Sequence, residues 1–448
     1  MTYFARLAGA FIVTVSASAL HAQTSIPSSR PADRPIENLF EAAVSTSARV
    51  TASVRPELRG TPPAGQAQVA LEVAGSQAGF EAWVRAFRPR AMAAGISPQT
   101  LDAAFRGVRF DQDVIRLDRN QSEFSKTIWE YLGSAVSNRR VSNGRSALVK
   151  HGTALTAIER RYGVEKEVVV AVWGLETGYG GFRGANNVIQ STATLAYEGR
   201  RSEFFEAQLI AALQILEAGD TSPRNMIGSW AGAMGHTQFM PTSYLDRAVD
   251  FDGDGRRDIW SENPTDALAS TAAYLKNAGW TKGQPWGVEV ILPAGFDYTQ
   301  ADRKTKKTAG AWARQGVRDT AGRKVPNYGR ASILLPAGAR GAAFMIFDNF
   351  AAIERYNPAD AYVIGVGHLS DRIGGAGPIR ASWPVSDRAL SFSERKELQQ
   401  RLTRAGFDTN GVDGRVGPNT INAIRSYQIS RGLLPDGYAS VTLLKQLR

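Results

Sequence analysis

Val168-Val-Val-Ala-Val-Trp173-Gly-Leu-Glu176-Thr-Gly-Tyr179-Gly-Gly181 reads as a buried helix whose last turn carries one carboxyl group. Val168, Val172, Leu175 and Tyr179 recur at helical spacing, and Glu165 and Glu167 suit the positive end of the helix dipole. Gly178 and Gly180-Gly181 stop the helix and leave its last turn beside open space. No Lys or Arg falls between Lys166 and Arg183, so Glu176 sits beside Trp173 and Leu175 without a nearby cation in the chain. Burial in such surroundings disfavours the ionised form and lets a carboxyl keep its proton near neutral pH. A general acid for glycoside cleavage needs that property.

The regions around this helix follow the same period. Phe80 to Phe87, Ser97 to Phe105, Arg145 to Tyr162, Phe204 to Ala218 and Pro264 to Gly279 each predict a helix, and Ser97 and Pro98 mark one start. After Trp280 the pattern alternates: Gly287 to Pro293, Ala331 to Pro336 and Ala342 to Phe347 predict strands that pair. Between them, Asp302 to Lys324 is polar and partly helical, which makes a small α+β insertion on a helical body. Helix resumes at Phe350 to Tyr356 and Asp360 to Arg372. Residues 381–388 form a linker, and 389–448 form a separate unit of three short helices, with Ser393 as a cap and Leu398, Leu402, Ile421, Ile424 and Tyr427 inside. The fold class is mainly α.

With 448 residues the chain has room for two or three domains. Its 53 Lys and Arg against 42 Asp and Glu give a net charge of +11, which draws anionic polymers. The densest basic run, Arg303-Lys-Thr-Lys-Lys307, is short and lacks interleaved aromatics, which argues against nucleic acid. Residues 1–22 resemble a signal peptide: Arg6, then an uncharged stretch from Leu7 to Leu20, then small residues at Ala17-Ser-Ala19 and Ala22. Residues 23–75, rich in Ala, Ser, Thr and Pro, read as a flexible linker. The chain has no cysteine, hence neither a disulfide nor a lipidated cysteine anchor. The expected address is the periplasm, as a soluble exported protein.

Two further stretches carry chemistry. Ser229-Trp-Ala-Gly-Ala-Met-Gly235-His-Thr-Gln238-Phe-Met-Pro241-Thr-Ser-Tyr244 combines close-approach residues with the neutral polar groups of Ser229, Gln238 and Tyr244. Neutral donors flanked by Trp and Phe suit a sugar. Asp250-Phe-Asp252-Gly-Asp254-Gly255-Arg256-Arg-Asp258 places carboxylates at positions 1, 3 and 5, Gly at 6 and a carbonyl at 7 of an EF-hand-type loop spanning 250–266. Ser261 stands where the usual acidic twelfth residue belongs, so Glu262 or Asp266 must complete the shell. Asp266 joins Asp250, Asp252, Asp254 and the Arg256 carbonyl in the ligand set, for a structural calcium or sodium ion with no part in catalysis.

These stretches, taken with Asn349-Phe and Arg355-Tyr356-Asn357 to Tyr362, resemble the membrane-bound lytic transglycosylase B family (glycoside hydrolase family 103) over roughly residues 79–377. Asn410-Gly-Val-Asp413-Gly-Arg-Val-Gly-Pro418-Asn-Thr420 through Tyr427-Gln428 resembles a peptidoglycan-binding domain. The resemblance implies a lysozyme-like helical catalytic domain over 76–380. It implies cleavage of the MurNAc-β-1,4-GlcNAc bond of glycan strands without water, with Glu176 as acid and then base. It also implies saccharide contacts from Ser229, Gln238, Tyr274, Asn357 and Tyr362, with Tyr356 either among them or in the core. Partners from wall synthesis or division fit this setting, but the sequence identifies none. The founding member is lipid-anchored, whereas this chain lacks the cysteine. Two rivals stand beside this reading: a lysozyme-like hydrolase, for which no second catalytic Asp is evident outside the loop, and a non-catalytic wall-binding scaffold.

Overall fold

The computed structural model describes residues 75–120 and 126–448. The signal peptide and nearly all of the linker read at 1–75 lie outside the described residues. In chain order, α1 (Gln77–Ala93), α2 (Pro98–Ala104), α3 (Gln112–Asn120), α4 (Ile128–Ala135), α5 (Asn138–Lys150) and α6 (Gly152–Tyr162) lead to the central helix α7 (Lys166–Thr177). Side-chain caps set several of these starts: Ser97 accepts from the Thr100 amide, and Thr127 with Glu130 forms a capping box on α4. The single helix expected over Arg145 to Tyr162 is two. His151, at φ −109° and ψ 19°, ends α5 and lets Gly152 start α6 in a new direction.

Every residue of α7 from Val168 to Gly174 is buried, so the helix is apolar all round and forms the middle of the core. It ends in a left-handed cap: Gly178 takes φ 59° and its amide donates to Gly174 O, while the Tyr179 amide donates to Trp173 O. Tyr179 therefore does not extend the helical stripe. It takes φ 65°, doubles back over Gly174, and donates from its hydroxyl to Arg140 O at 2.6 Å. A Cβ at Gly174 would fall 2.6 Å from the Tyr179 ring, which is why glycine stands there.

Beyond α7, β1 (Asn186–Asn187), α8 (Val188–Glu198), α9 (Ser202–Glu217), β2 (Ile227–Gly228), α10 (Pro241–Arg247) and α11 (Thr265–Asn277) complete the first part of the body. β1 pairs antiparallel with β2. The insertion holds β3 (Gly287–Ile291), β4 (Lys307–Thr308), α12 (Ala309–Arg314), β5 (Arg318–Asp319), β6 (Arg330–Leu334) and β7 (Ala343–Ile346). Its sheet is antiparallel in the order β4-β6-β7-β3-β5, so the three strands read from the sequence are neighbours, with β7 between β6 and β3. Alternation along β7 explains how the sheet is covered on both faces. Ala343 and Met345 pack on Trp312 and its neighbours, while Phe344 and Ile346 join the core built around α7.

The chain returns to the body through α13 (Asp348–Tyr356) and α14 (Asp360–Ile373), and α14 packs along α7. The C-terminal module contains α15 (Phe392–Arg404), α16 (Pro418–Ser430) and α17 (Val441–Leu447) around Leu398, Leu402, Ile424, Tyr427, Leu443 and Leu444. Ser391, not Ser393, caps α15, because the Glu394 carboxylate reaches back to the Ser391 amide and completes a capping box. The module touches the insertion through Asp436, which accepts the Ala339 amide at 3.0 Å, and through Arg425, which donates to Ala301 O. Among the described residues no helix is long and apolar enough to cross a membrane.

Candidate active site

Glu176 occupies the last turn of α7, one residue before Thr177, and is half-buried. Among the described residues its hydrogen-bond partner is Tyr362, on the first turn of α14, whose hydroxyl donates to Oε1 at 2.5 Å. Burial pushes the Glu176 carboxyl up to about 7, opposed by the Tyr362 hydrogen bond, and no Asp or Glu contributes to the shift. Such a group is part protonated at neutral pH and can donate a proton to an incoming oxygen.

An aromatic wall extends from this carboxyl. The Tyr356 ring lies parallel to Tyr362 at 6.4 Å, packs edge-on to Tyr274 at 4.9 Å, and meets Phe239 at 5.8 Å. Tyr274 donates to Arg355 O at 2.5 Å and Tyr356 donates to Thr237 O, so the hydroxyls of both are already engaged by backbone. Tyr362 thus reaches Glu176 directly, Tyr356 stands one ring away and Tyr274 two. Asn357 ends α13, half-buried, with its Oδ1 accepting the Ala359 amide.

Ser229 and Gln238 sit on the turn-rich segment after β2. Ser229 Oγ accepts the Ala233 amide at 3.0 Å, which leaves its hydroxyl proton to donate. Gln238 has φ 54°, and its side-chain amide nitrogen donates to Gly235 O at 2.9 Å and Arg183 O at 3.2 Å. Its Oε1 remains to accept. Tyr244, grouped with these two in the sequence, is instead fully buried and donates to Arg257 O at 2.6 Å, which makes it a structural residue.

Two residues near Glu176 carried no sequence signal. Tyr131, on α4, packs on Gly365 beside Leu175, and burial followed by the charge of Glu176 pushes its hydroxyl up to about 12. His236 is buried and ties α7 to the loop beyond it. The Trp173 indole donates to His236 Nδ1 at 3.1 Å, so the ring proton resides on Nε2 and donates to Ser261 O at 2.7 Å. Thr177 Oγ1 donates to His236 O at 2.6 Å, and the His236 amide donates to Ile259 O at 3.0 Å. Burial lowers the His236 pKa, in keeping with a neutral ring.

The loop so anchored is the acidic one. Asp250, Asp252, Asp254 and Asp266 each present a carboxylate oxygen within 4.8 Å of the others. Asp266, buried in the first turn of α11, accepts the Phe251 and Asp258 amides at 2.8 and 3.0 Å. Glu262, the other candidate for completing the shell, points away: it is exposed and pairs with Arg183 Nη2 at 2.5 Å. Gly253 and Gly255 take φ 82° and 88°, which bends the loop round the Asp250 carboxylate that accepts both amides. The Asp254 carboxylate accepts the Arg256 amide at 2.9 Å. The all-oxygen donor set fits a hard cation such as calcium or sodium.

This fold and site define a class: a helical enzyme body with one proton-holding carboxyl beside an aromatic wall, joined to a small helical module. The chain belongs to the transglycosylase SLT domain family, which residues 79–371 match. Residues 392–447 match the putative peptidoglycan binding domain family. The fold is similar to that of SltB3 from Pseudomonas aeruginosa, solved in complex with NAG-NAM-pentapeptide, at 51% identity and TM-score 0.81 over 82% of this chain and 99% of that one. It is also similar to Escherichia coli Slt35 in complex with calcium, at 31% identity and TM-score 0.57 over 65% and 92% of the two chains. The sequence is 32% identical over 295 residues to membrane-bound lytic murein transglycosylase B of Escherichia coli (strain K12), over 62% of this chain and 79% of that protein.

Proposed function

We propose that this chain, a lytic murein transglycosylase, cleaves the MurNAc-β-1,4-GlcNAc bond with Glu176 as its only acid and base. The observation that carries the reading is the place of Glu176 at the glycine-stopped end of α7, bonded to Tyr362 beside the aromatic wall, where burial raises its carboxyl to about 7. Protonated Glu176 donates to the glycosidic oxygen as the C1–O4 bond breaks. The resulting carboxylate takes the proton from the muramyl C6 hydroxyl, and O6 bonds to C1 to give the 1,6-anhydro end. No water is consumed, unlike hydrolysis by a two-carboxylate glycosidase. Tyr362 stabilises the charged form between the two proton transfers. Ser229, Gln238, Tyr274 and Asn357 line the saccharide cleft in this reading, and Tyr356 stiffens its wall.

Asp250, Asp252, Asp254, Asp266 and the Arg256 carbonyl would hold a structural calcium or sodium ion, which neutralises the loop and takes no catalytic step. The division into a catalytic body at 76–380 and a wall-binding module at 389–448 fits the two family matches. An exported, periplasmic protein follows from the composition of residues 1–22 and from a substrate that lies outside the inner membrane. Digestion of purified peptidoglycan in heavy-oxygen water tests the chemistry. Transglycosylation leaves the muramyl ends unlabelled, whereas a label at C1 would mean hydrolysis.

A further inference from the structure

Three consecutive residues, His236, Thr237 and Gln238, are bonded to three parts of the Glu176 site. Trp173 and Thr177 lie one turn apart on α7 and flank Glu176. Both are bonded to His236: Trp173 Nε1 donates to its ring Nδ1 at 3.1 Å, and Thr177 Oγ1 donates to its carbonyl at 2.6 Å. The Thr237 carbonyl accepts the hydroxyl of Tyr356, whose ring lies parallel to that of Tyr362, the partner of Glu176. Gln238 is fixed by its side-chain amide, which donates to the Gly235 and Arg183 carbonyls.

The imidazole of His236 is the side chain in this run that bonds to α7. It lies so close to Gly180 that a Cβ there would fall 2.7 Å from Nδ1. Gly180, at φ 81°, donates its amide to Thr177 Oγ1 at 3.0 Å, so the turn that ends α7 closes round the ring. Burial favours the neutral ring, and the Arg183 guanidinium, with Nη1 3.2 Å from Nε2, acts the same way. The Ser261 carbonyl, Glu262 and Asp258 pull against it without reversing the direction. A neutral ring with its proton on Nε2 lets Nδ1 accept from Trp173; a protonated Nδ1 would set two donors against each other.

We propose that His236 is a positioning residue for the reaction. Through the bond from Trp173 to Nδ1 it holds the end of α7, and with it the Glu176 carboxyl, in one frame with Gln238, the proposed saccharide contact two residues further on. A single carboxyl gives the proton to the glycosidic oxygen and then takes the C6 hydroxyl proton, so its misplacement slows both transfers. The inference rests on the Glu176 reading of the function and adds to it the residue that aims the acid.

Two variants of the full chain separate aiming from simple support. Asn puts an oxygen where Nδ1 accepts from Trp173, and Gln puts a nitrogen where Nε2 donates to Ser261. The readout is kcat and KM for release of anhydro ends from peptidoglycan strands, at a temperature where each variant is fully folded. His236→Gln should lower kcat about 10²-fold, the cost of an ångström's misplacement, with KM little changed. His236→Asn should recover most of that loss. In His236→Gln the alkaline limb of the rate profile should also move to lower pH, because a loosened helix end admits water to the Glu176 carboxyl. A kcat of His236→Gln equal to that of wild type, or equal losses in the two variants, would overturn the assignment. A wild type that releases no anhydro ends would instead overturn the reading on which it rests. Where neither variant folds, nitrogen NMR of the wild-type ring decides: a bare Nδ1 supports the assignment, and a protonated Nδ1 rejects it.

Discussion

The two acidic regions of this enzyme solve opposite electrostatic problems about the same helix end. At Glu176 one carboxyl is surrounded by aromatic and aliphatic side chains, with a tyrosine hydroxyl as its partner, and burial holds its proton to about pH 7. At residues 250–266 four carboxylates crowd together, two of them exposed and Asp266 buried, with backbone amides as their main partners. An isolated carboxyl in poor solvent keeps a proton; a crowd of carboxylates in water attracts a cation. A third carboxyl, Asp371 on α14, is also raised to about 7 by burial, yet its Oδ2 accepts the Trp286 indole at 2.9 Å. A raised pKa thus does not by itself mark a catalytic acid; the position of Glu176 at the open end of α7, beside the aromatic wall, separates the two.

Breaking the isolated site should have the largest effect. Glu176→Gln should fold and lose about 10³-fold in turnover, the usual worth of a general acid and base. It should also change the pH dependence of stability. The folded pKa of Glu176 lies above that of the unfolded chain, so its stabilising contribution is complete below about pH 4.5 and is lost as pH rises through about 7. Wild type should therefore lose stability across that window relative to Glu176→Gln, which melting curves at pH 4, 6 and 8 would show.

His236 joins the two regions, and its loss comes next. His236→Phe leaves the buried Trp173 indole without its partner, at about 1–3 kcal/mol, while the exposed Ser261 carbonyl keeps Arg183 Nη1 at 3.4 Å. Chemical denaturation should show the drop directly. In the acidic loop, Asp252→Asn with Asp254→Asn should lower Tm and abolish its rise with calcium, a rise that corresponds to about 2.7 kcal/mol at 100-fold the dissociation constant. A calcium response that survives in the double variant would remove the ion from the account. The smallest effect belongs to Tyr362→Phe. Losing one hydrogen bond of about 1.4 kcal/mol slows turnover about tenfold. That bond favours the charged form, so the alkaline limb of the rate profile should move to higher pH.

How much of this could be read in the chain depends on whether the cause is local. The helix carrying Glu176, its glycine stop, the carboxylate spacing of the loop and the alternating strands are local patterns, and the structure contains each of them. Tyr179 and His151 depart from their periodicity because tertiary packing, over Gly174 in one case and at the α5–α6 break in the other, overrides a weak local preference. Local order in the chain offered Glu262 or Asp266 and took Asp266; in the fold Glu262 pairs with Arg183, 79 residues earlier. Tyr131 and His236 act through contacts 45 and 63 residues away, with α7 as the common partner, and no spacing rule finds such pairs.

The central claim is that Glu176 alone performs acid and base chemistry without water. Mass spectrometry of the muropeptides released from purified murein by residues 23–448, with Glu176→Gln alongside, tests it most directly. The account predicts 1,6-anhydromuramyl ends from wild type and none from the variant. Reducing muramyl ends from wild type, or anhydro ends that persist in Glu176→Gln, would contradict it.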